Sequence, residues 1–261
     1  MTPEKSDKIL DRLDTVHGDL VELRPKKELY IFSKPLPENT SVLMGFPGSG
    51  LVGTIALQYM VDQMEFELIG TMTSKYFPPL AMMNKGIINE PVRIYLKGEL
   101  AIIVADIPIH PMICYEITNG ILDWLAPFKP KEVLTIAGII TNELEKRVFG
   151  VATSADALPR IQDITLILPI GSISGVASSL LTECKARGIP AYGLLGETVN
   201  APDPRASAAT IEVLNKMYNL SLDVKPLIEQ AVEIEQSMGK IAEEVQQSAE
   251  TSPKKDLPMY G

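Results

Sequence analysis

The run from Ser41 to Ala56, Ser-Val-Leu-Met-Gly-Phe-Pro-Gly-Ser-Gly-Leu-Val-Gly-Thr-Ile-Ala, narrows the choice of fold more than any other stretch. An apolar strand, Val42 to Met44, enters a glycine-rich turn, and a helix-compatible run, Leu51 to Met64, leaves it. Gly48, Gly50 and Gly53 stand at the spacing of a dinucleotide fingerprint between a strand and a helix. Such glycines can bare backbone N–H groups for a phosphate, or simply let strand and helix pack closely. A dinucleotide site also wants an acidic residue about 20 positions on, closing the second strand. The next strand, Phe66 to Met72, has Glu65 and Glu67 at its opening and no acid at Thr71 to Ser74. A P-loop wants Gly-Lys-Ser/Thr, where this chain has Gly50, Leu51 and Val52. Neither motif is complete, so Gly45, Gly48, Gly50 and Gly53 read as a structural turn.

The chain has 261 residues, enough for one large α/β domain with an extension. Nearly half are apolar, which suffices for a full core, yet no apolar run reaches the roughly 18 residues of a membrane helix. The first residues are too charged for a secretory signal, so a cytoplasmic location is expected. A net charge of −9 argues against nucleic acid, whose phosphates call for a basic face. Two cysteines, Cys114 and Cys184, lie in apolar helix-like segments and read as buried free thiols. Two histidines, His17 and His110, leave little from which to build a metal site or a histidine triad. No metal or cofactor is expected.

Strand-like and helix-like segments alternate along the chain. Strands are predicted near Lys131–Ile139, Val148–Ala155, Thr165–Pro169 and Ala191–Leu195, and a hairpin from Ile87 to Ala105 turns at Lys97-Gly98. Helices are predicted over Met112–Ala126, Val176–Arg187 and Ser207–Tyr218, with a small one over Ala157–Gln162. Lys75 to Leu80 carries Pro78 and Pro79, which cannot donate within a sheet, and reads as a stiff aromatic loop. The expected architecture is an α/β layered domain, a mixed or parallel sheet with helices on both faces.

Two further places could carry chemistry. Asp106 and His110 lie just past the buried run Leu100–Ala105, where ligands bind in open α/β sheets, and form the best acid/base candidate. The alternative is an Asp106 bonded within its loop and a partly exposed His110, since no third catalytic group is evident. Gly171 to Gly175 opens the helix from Val176 and could hold an anion or serve as an ordinary cap.

The C-terminal part is different. Leu227, Ala231, Ile234, Met238, Ile241 and Val245 recur at steps of four and three, a short heptad seam. That helix either zips against a copy of itself or lies along the domain. From Ser248 the composition is that of a solvated tether, ending Leu-Pro-Met-Tyr-Gly. Apolar and aromatic residues at such a tip suit capture of a C-terminal carboxylate, or are a plain chain end. The expected organisation is a core domain with an N-terminal arm over 1–222, a heptad helix over 223–247 and a tail over 248–261.

Three stretches together resemble the proteasome assembly chaperone family, particularly its archaeal members. They are Gly45-Phe46-Pro47-Gly48-Ser49-Gly50-Leu51-Val52-Gly53, the Phe77-Pro78-Pro79 loop, and Gly196-Glu197-Thr198 with Pro202-Asp203-Pro204-Arg205-Ala206. The resemblance covers roughly Val42 to Glu235. It implies a nucleoside-phosphorylase-like fold without enzymatic activity. Members that dock on the proteasome core end in a hydrophobic residue, a tyrosine and one last residue, matched here by Met259, Tyr260 and Gly261. The resemblance thus implies a homo-oligomeric, non-enzymatic partner of the proteasome core particle, as assembly chaperone or ATP-independent activator. Tyr260 and the Gly261 carboxylate would enter pockets between α-subunits, with Met259 at the entrance. The rival is a nucleoside- or phosphate-binding enzyme using Gly48 to Gly53 with Asp106 and His110.

Overall fold

The computed structural model describes residues 29–232, apart from 85, 142, 144 and 200. The N-terminal arm, the heptad seam from Ile234 onward and the tail with Met259, Tyr260 and Gly261 lie outside the described residues.

The strands are β1 (Leu29–Ser33), β2 (Ser41–Gly45), β3 (Glu67–Ser74), β4 (Met82–Asn84), β5 (Ile87–Asn89), β6 (Val92–Lys97), β7 (Leu100–Ala105), β8 (Glu132–Ile140), β9 (Val148–Ala152), β10 (Leu166–Ile167) and β11 (Ala191–Thr198). The helices are α1 (Val52–Met64), α2 (Cys114–Leu125), α3 (Gly175–Ala186) and α4 (Pro204–Tyr218). Among the described residues one mixed sheet runs β1-β3-β6-β7-β2-β8-β11-β9-β10. Its centre, β7-β2-β8-β11, is parallel, and antiparallel pairs flank it on both sides. This is why the central strands read as unbroken apolar runs: a parallel sheet is covered on both faces.

The period of two along each strand divides the core. Leu43, Ile102, Val104, Leu134 and Ile136 face α1 and α4 on one side, meeting Leu57, Met60, Ile211 and Leu214. Val42, Met44, Ala101, Ile103 and Val133 face α2 and α3 on the other, meeting Ile117, Ile121, Leu122 and Leu180. Where α2 crosses α3, the buried hydroxyls of Thr118 and Ser179 lie 2.8 Å apart, and Ser179 also bonds the carbonyl of Cys114 at 3.2 Å. These small residues satisfy one another and let the helices approach.

Tertiary pairing moved several boundaries. β11 continues to Thr198, placing Glu197 and Thr198 within the strand although their sequence reads as loop; eight residues of register with β8 hold them there. The strand at Thr165–Pro169 shrinks to a two-residue edge, and Ala157–Gln162 is one 3-10 turn, Leu158–Arg160. Residues 225–232 are helical, and the first two seam positions, Leu227 and Ala231, are buried while Ile228 and Val232 stay partly exposed. Leu227 joins the core beneath α4, so the start of the seam lies along the domain.

Both cysteines are buried and unpaired. Burial pushes the Cys184 thiol up to about 12 and raises that of Cys114 as well. Neither thiol should react with a chromogenic disulfide reagent in the native protein at pH 8, and both should react in denaturant. Rapid native labelling of Cys184 would contradict this packing.

Candidate functional site

The glycine turn draws three backbones together. Gly45 ends β2, and a Cβ there would stand 2.5 Å from the carbonyl oxygen of Gly53 in α1. A Cβ on Gly53 would in turn stand 2.5 Å from the carbonyl oxygen of Ile136 in β8. Gly50 adopts φ +65°, and a Cβ there would lie 2.0 Å from Oγ1 of Thr198. Leu51 follows at φ +50°, so two successive left-handed residues swing the chain into α1. Gly48 is extended, with nothing nearer than 4.0 Å to an added Cβ.

The Gly-Glu-Thr and Pro-Asp-Pro-Arg stretches hold this turn from the far side. The Thr198 hydroxyl donates to Oδ2 of Asp203 at 3.1 Å, and the Asp203 amide donates to the Gly50 carbonyl at 2.9 Å. Oδ1 of Asp203 accepts from the Ala206 amide at 3.0 Å, capping α4, with Pro204 at its first position. Lys146 Nζ lies 3.2 Å from Oδ2 of the same buried carboxylate. Beside it, Arg147 grips Glu197 with two parallel bonds, Nε to Oε2 at 2.7 Å and Nη2 to Oε1 at 2.8 Å. Glu197 is 1% exposed; the Arg147 guanidinium outweighs that burial and holds its carboxyl below the usual carboxylate range. Lys146 and Arg147 were missed in the sequence because they sit some fifty residues from their partners, in an otherwise featureless loop.

A cleft of about 240 Å³ opens past the carboxyl ends of β2 and β8, between the glycine turn and the start of α3. Phe46 and Ile136 help to line it, with Ser49, Ser172 and Ser174. Among the described residues no ionisable side chain borders it. It falls below the roughly 300 Å³ at which small-molecule sites usually begin. The two glycine turns read separately in the sequence are therefore neighbours across one small, uncharged opening. Among the described residues that opening offers serine and threonine hydroxyls and backbone groups, with no acid or base at its border.

Asp106 and His110 are not brought together. Both carboxylate oxygens of Asp106 are taken by Arg93, with Nη2 to Oδ1 at 3.1 Å. Arg93 also donates to Gln58 Oε1 at 3.0 Å, to the Glu90 carbonyl at 2.9 Å and to the Tyr95 hydroxyl at 2.9 Å. His110 is exposed, and its Nδ1 accepts the Met112 amide at 3.2 Å, capping a one-turn helix at Pro111–Ile113. Both side chains thus serve local structure, Asp106 through the guanidinium of Arg93 on the neighbouring strand β6. Among the described residues no three His, Cys, Asp or Glu side chains gather where a metal could sit.

Substitutions separate packing from ligand cradling. Gly53→Ala should destabilise by about 2 kcal/mol or more, although alanine ordinarily favours a helix interior. Gly48→Ala should change the melting temperature little; chemical denaturation of both variants checks the contrast. Asp106→Ala should cost about 3 kcal/mol by stranding the nearly buried Arg93, while His110→Ala should be nearly neutral. The double variant should be additive within about 0.5 kcal/mol, and a larger coupling would reinstate the pair.

A family model described as the PAC2 family matches residues 42–242. An uncharacterised Methanocaldococcus jannaschii protein, MJ0106, is 34% identical over 224 residues, covering 85% of this chain and 93% of that one. The crystal structure of Pyrococcus furiosus PbaA, described as an archaeal homolog of proteasome-assembly chaperone, is 33% identical with a TM-score of 0.78, covering 86% of this chain and 95% of that one. Pyrococcus furiosus PbaB, described as an archaeal proteasome activator, shares the fold at a TM-score of 0.75 and 24% identity, covering 83% of this chain and 99% of that one. With its glycine turn, its clamped Gly-Glu-Thr strand and a family match spanning most of its length, this chain belongs to the PAC2 family.

Proposed function

We propose that this protein is a non-enzymatic, homo-oligomeric binding partner of the proteasome core particle that docks by its C-terminal tail. The observation that carries the reading is the terminal Met259-Tyr260-Gly261, set beyond the family-matched residues 42–242. The 33% identity to a homolog of proteasome-assembly chaperone supports the choice of partner. The uncharged cleft and the separation of Asp106 from His110 favour binding over chemistry.

The physical roles divide among the last three residues. The Gly261 carboxylate takes a charge-assisted bond from a lysine in a pocket between α-subunits. The Tyr260 ring supplies desolvated area and a hydroxyl, and Met259 lines the entrance. Three residues bind weakly alone, so several tails presented by one oligomer raise the avidity. The polar stretch from Ser248 to Asp256 provides reach. Assembly chaperoning and gate opening without ATP both follow from this docking, in a cytoplasmic setting.

Purified core particle should capture the full chain. Removing Met259 to Gly261, or Tyr260→Ala alone, should lower apparent affinity at least tenfold without changing circular dichroism or oligomer mass. Equal capture of clipped and intact protein would overturn the docking. Gly48→Ala and His110→Ala should leave capture unchanged.

A further inference from the structure

We propose that the cleft between the glycine turn and the start of α3 binds a phosphate group, held by hydroxyls and backbone amides without a cationic side chain. The proposal is independent of tail docking.

Gly171 to Gly175 can serve as an ordinary helix cap or as an anion seat, and the geometry favours the second. A cap needs the Ser174 side chain to accept from an amide of the first turn. Ser174 stands at the N-cap of α3 with φ −126° and ψ 169°, yet its side chain makes no such bond. Among the described residues nothing accepts from the amides of Gly175, Val176 and Ala177. All three residues line the cleft, and Val176 and Ala177 are each 7% exposed. Shielded amides call for an acceptor, and the start of a twelve-residue helix favours a negative one.

A separate observation comes from the sheet. Thr135 of β8 lines the same cleft and is 2% exposed. Its methyl lies toward β11, 3.9 Å from where a Cβ on Gly193 would stand. Among the described residues its hydroxyl has no hydrogen-bond partner. A hydroxyl is costly to bury without one, so this side chain points to a polar group carried into the cleft. Two glycines keep the opening clear. An added Cβ would meet nothing nearer than 4.0 Å at Gly48 and nothing within 4 Å at Gly175. Packing therefore asks for neither of them to be small, unlike Gly45 and Gly53.

The arrangement of donors selects the ligand. They come from both walls, the Ser49 hydroxyl on one and the α3 amides on the other, with Thr135 on the sheet. A tetrahedral oxyanion has oxygens for all three directions, whereas a planar carboxylate serves fewer. A cleft of about 240 Å³ takes one phosphate and a small substituent, and is too small for a nucleotide. The chain's net charge of −9 opposes any anion, so local surroundings must admit it. Among the described residues no carboxylate borders the cleft. The carboxylates placed at this end of the sheet, Asp106, Glu197 and Asp203, already carry Arg93, Arg147 and Lys146 as counter-charges.

The test is titration calorimetry of the full chain with inorganic phosphate, glycerol phosphate and acetate at matched ionic strength. A phosphate ligand should bind once per chain, and acetate at least about tenfold more weakly. Glycerol phosphate binding as tightly as the free ion assigns the site to a monoester, and its exclusion assigns it to inorganic phosphate. Thr135→Val keeps the shape of the side chain and should weaken binding at least about tenfold. Ser174→Asp sets a carboxylate against the open amides. It should raise the melting temperature of the ligand-free protein and abolish the heat of phosphate binding, so that loss of binding is read on a folded chain. Binding of neither phosphate compound, acetate as tight as phosphate, or native affinity in either variant overturns the proposal. A Ser174→Asp protein less stable than the native chain also overturns it, because the α3 amides would then not be open to a negative group.

Discussion

The structure depends on how closely α1 lies against the sheet. Gly45, Gly53 and the Ile136 carbonyl meet at distances that admit no side chain between β2, α1 and β8. With the helix seated that near, Leu57 and Met60 reach the face shared by Leu43, Ile102 and Leu134, and one of the two cores can close. The same approach fixes the turn from Gly48 to Leu51. Its backbone lies over Gly138, where a Cβ would stand 2.1 Å from the Ser49 carbonyl oxygen. A glycine-rich loop of the kind that bares its amides to a phosphate in nucleotide sites is here packed against its own fold at Gly50 and Gly53.

Charge pairs hold both ends of the parallel strands. At the carboxyl end Asp203 serves as helix cap, as acceptor for Thr198 and as counter-charge for Lys146, while Arg147 takes Glu197. At the amino end Arg160 takes Glu132, which also accepts the Ser41 hydroxyl at 3.0 Å. In both places a buried carboxylate is compensated by a guanidinium or ammonium and further hydrogen bonds, the condition under which a buried charge is tolerated. Gly45, Gly50, Gly53, Glu197, Thr198 and Asp203, which carry part of the family resemblance, thus hold the turn, the strand and the helix start in one arrangement. Conspicuous polar side chains in such a fold are weak evidence for catalysis.

The proposed contact is made by Met259-Tyr260-Gly261, which lie beyond the family-matched residues 42–242. On that proposal, several copies in one oligomer would multiply weakly binding tails.

The sequence by itself determined the layered α/β class, the strand–turn–helix at Ser41–Ala56 and the two buried thiols. Each is a local matter: an unbroken apolar run, a glycine spacing or an apolar helical stripe is written within one short window. It also showed that the glycine motif lacked its acid and its lysine. Tertiary structure alone decided that Asp106 belongs to Arg93 rather than His110, that Glu197 lies in a strand under Arg147, and that Leu227 packs beneath α4. Those outcomes turn on which distant segments the sheet order makes neighbours. A charge or a seam position carries no record in its own window of the partner that will stand across from it.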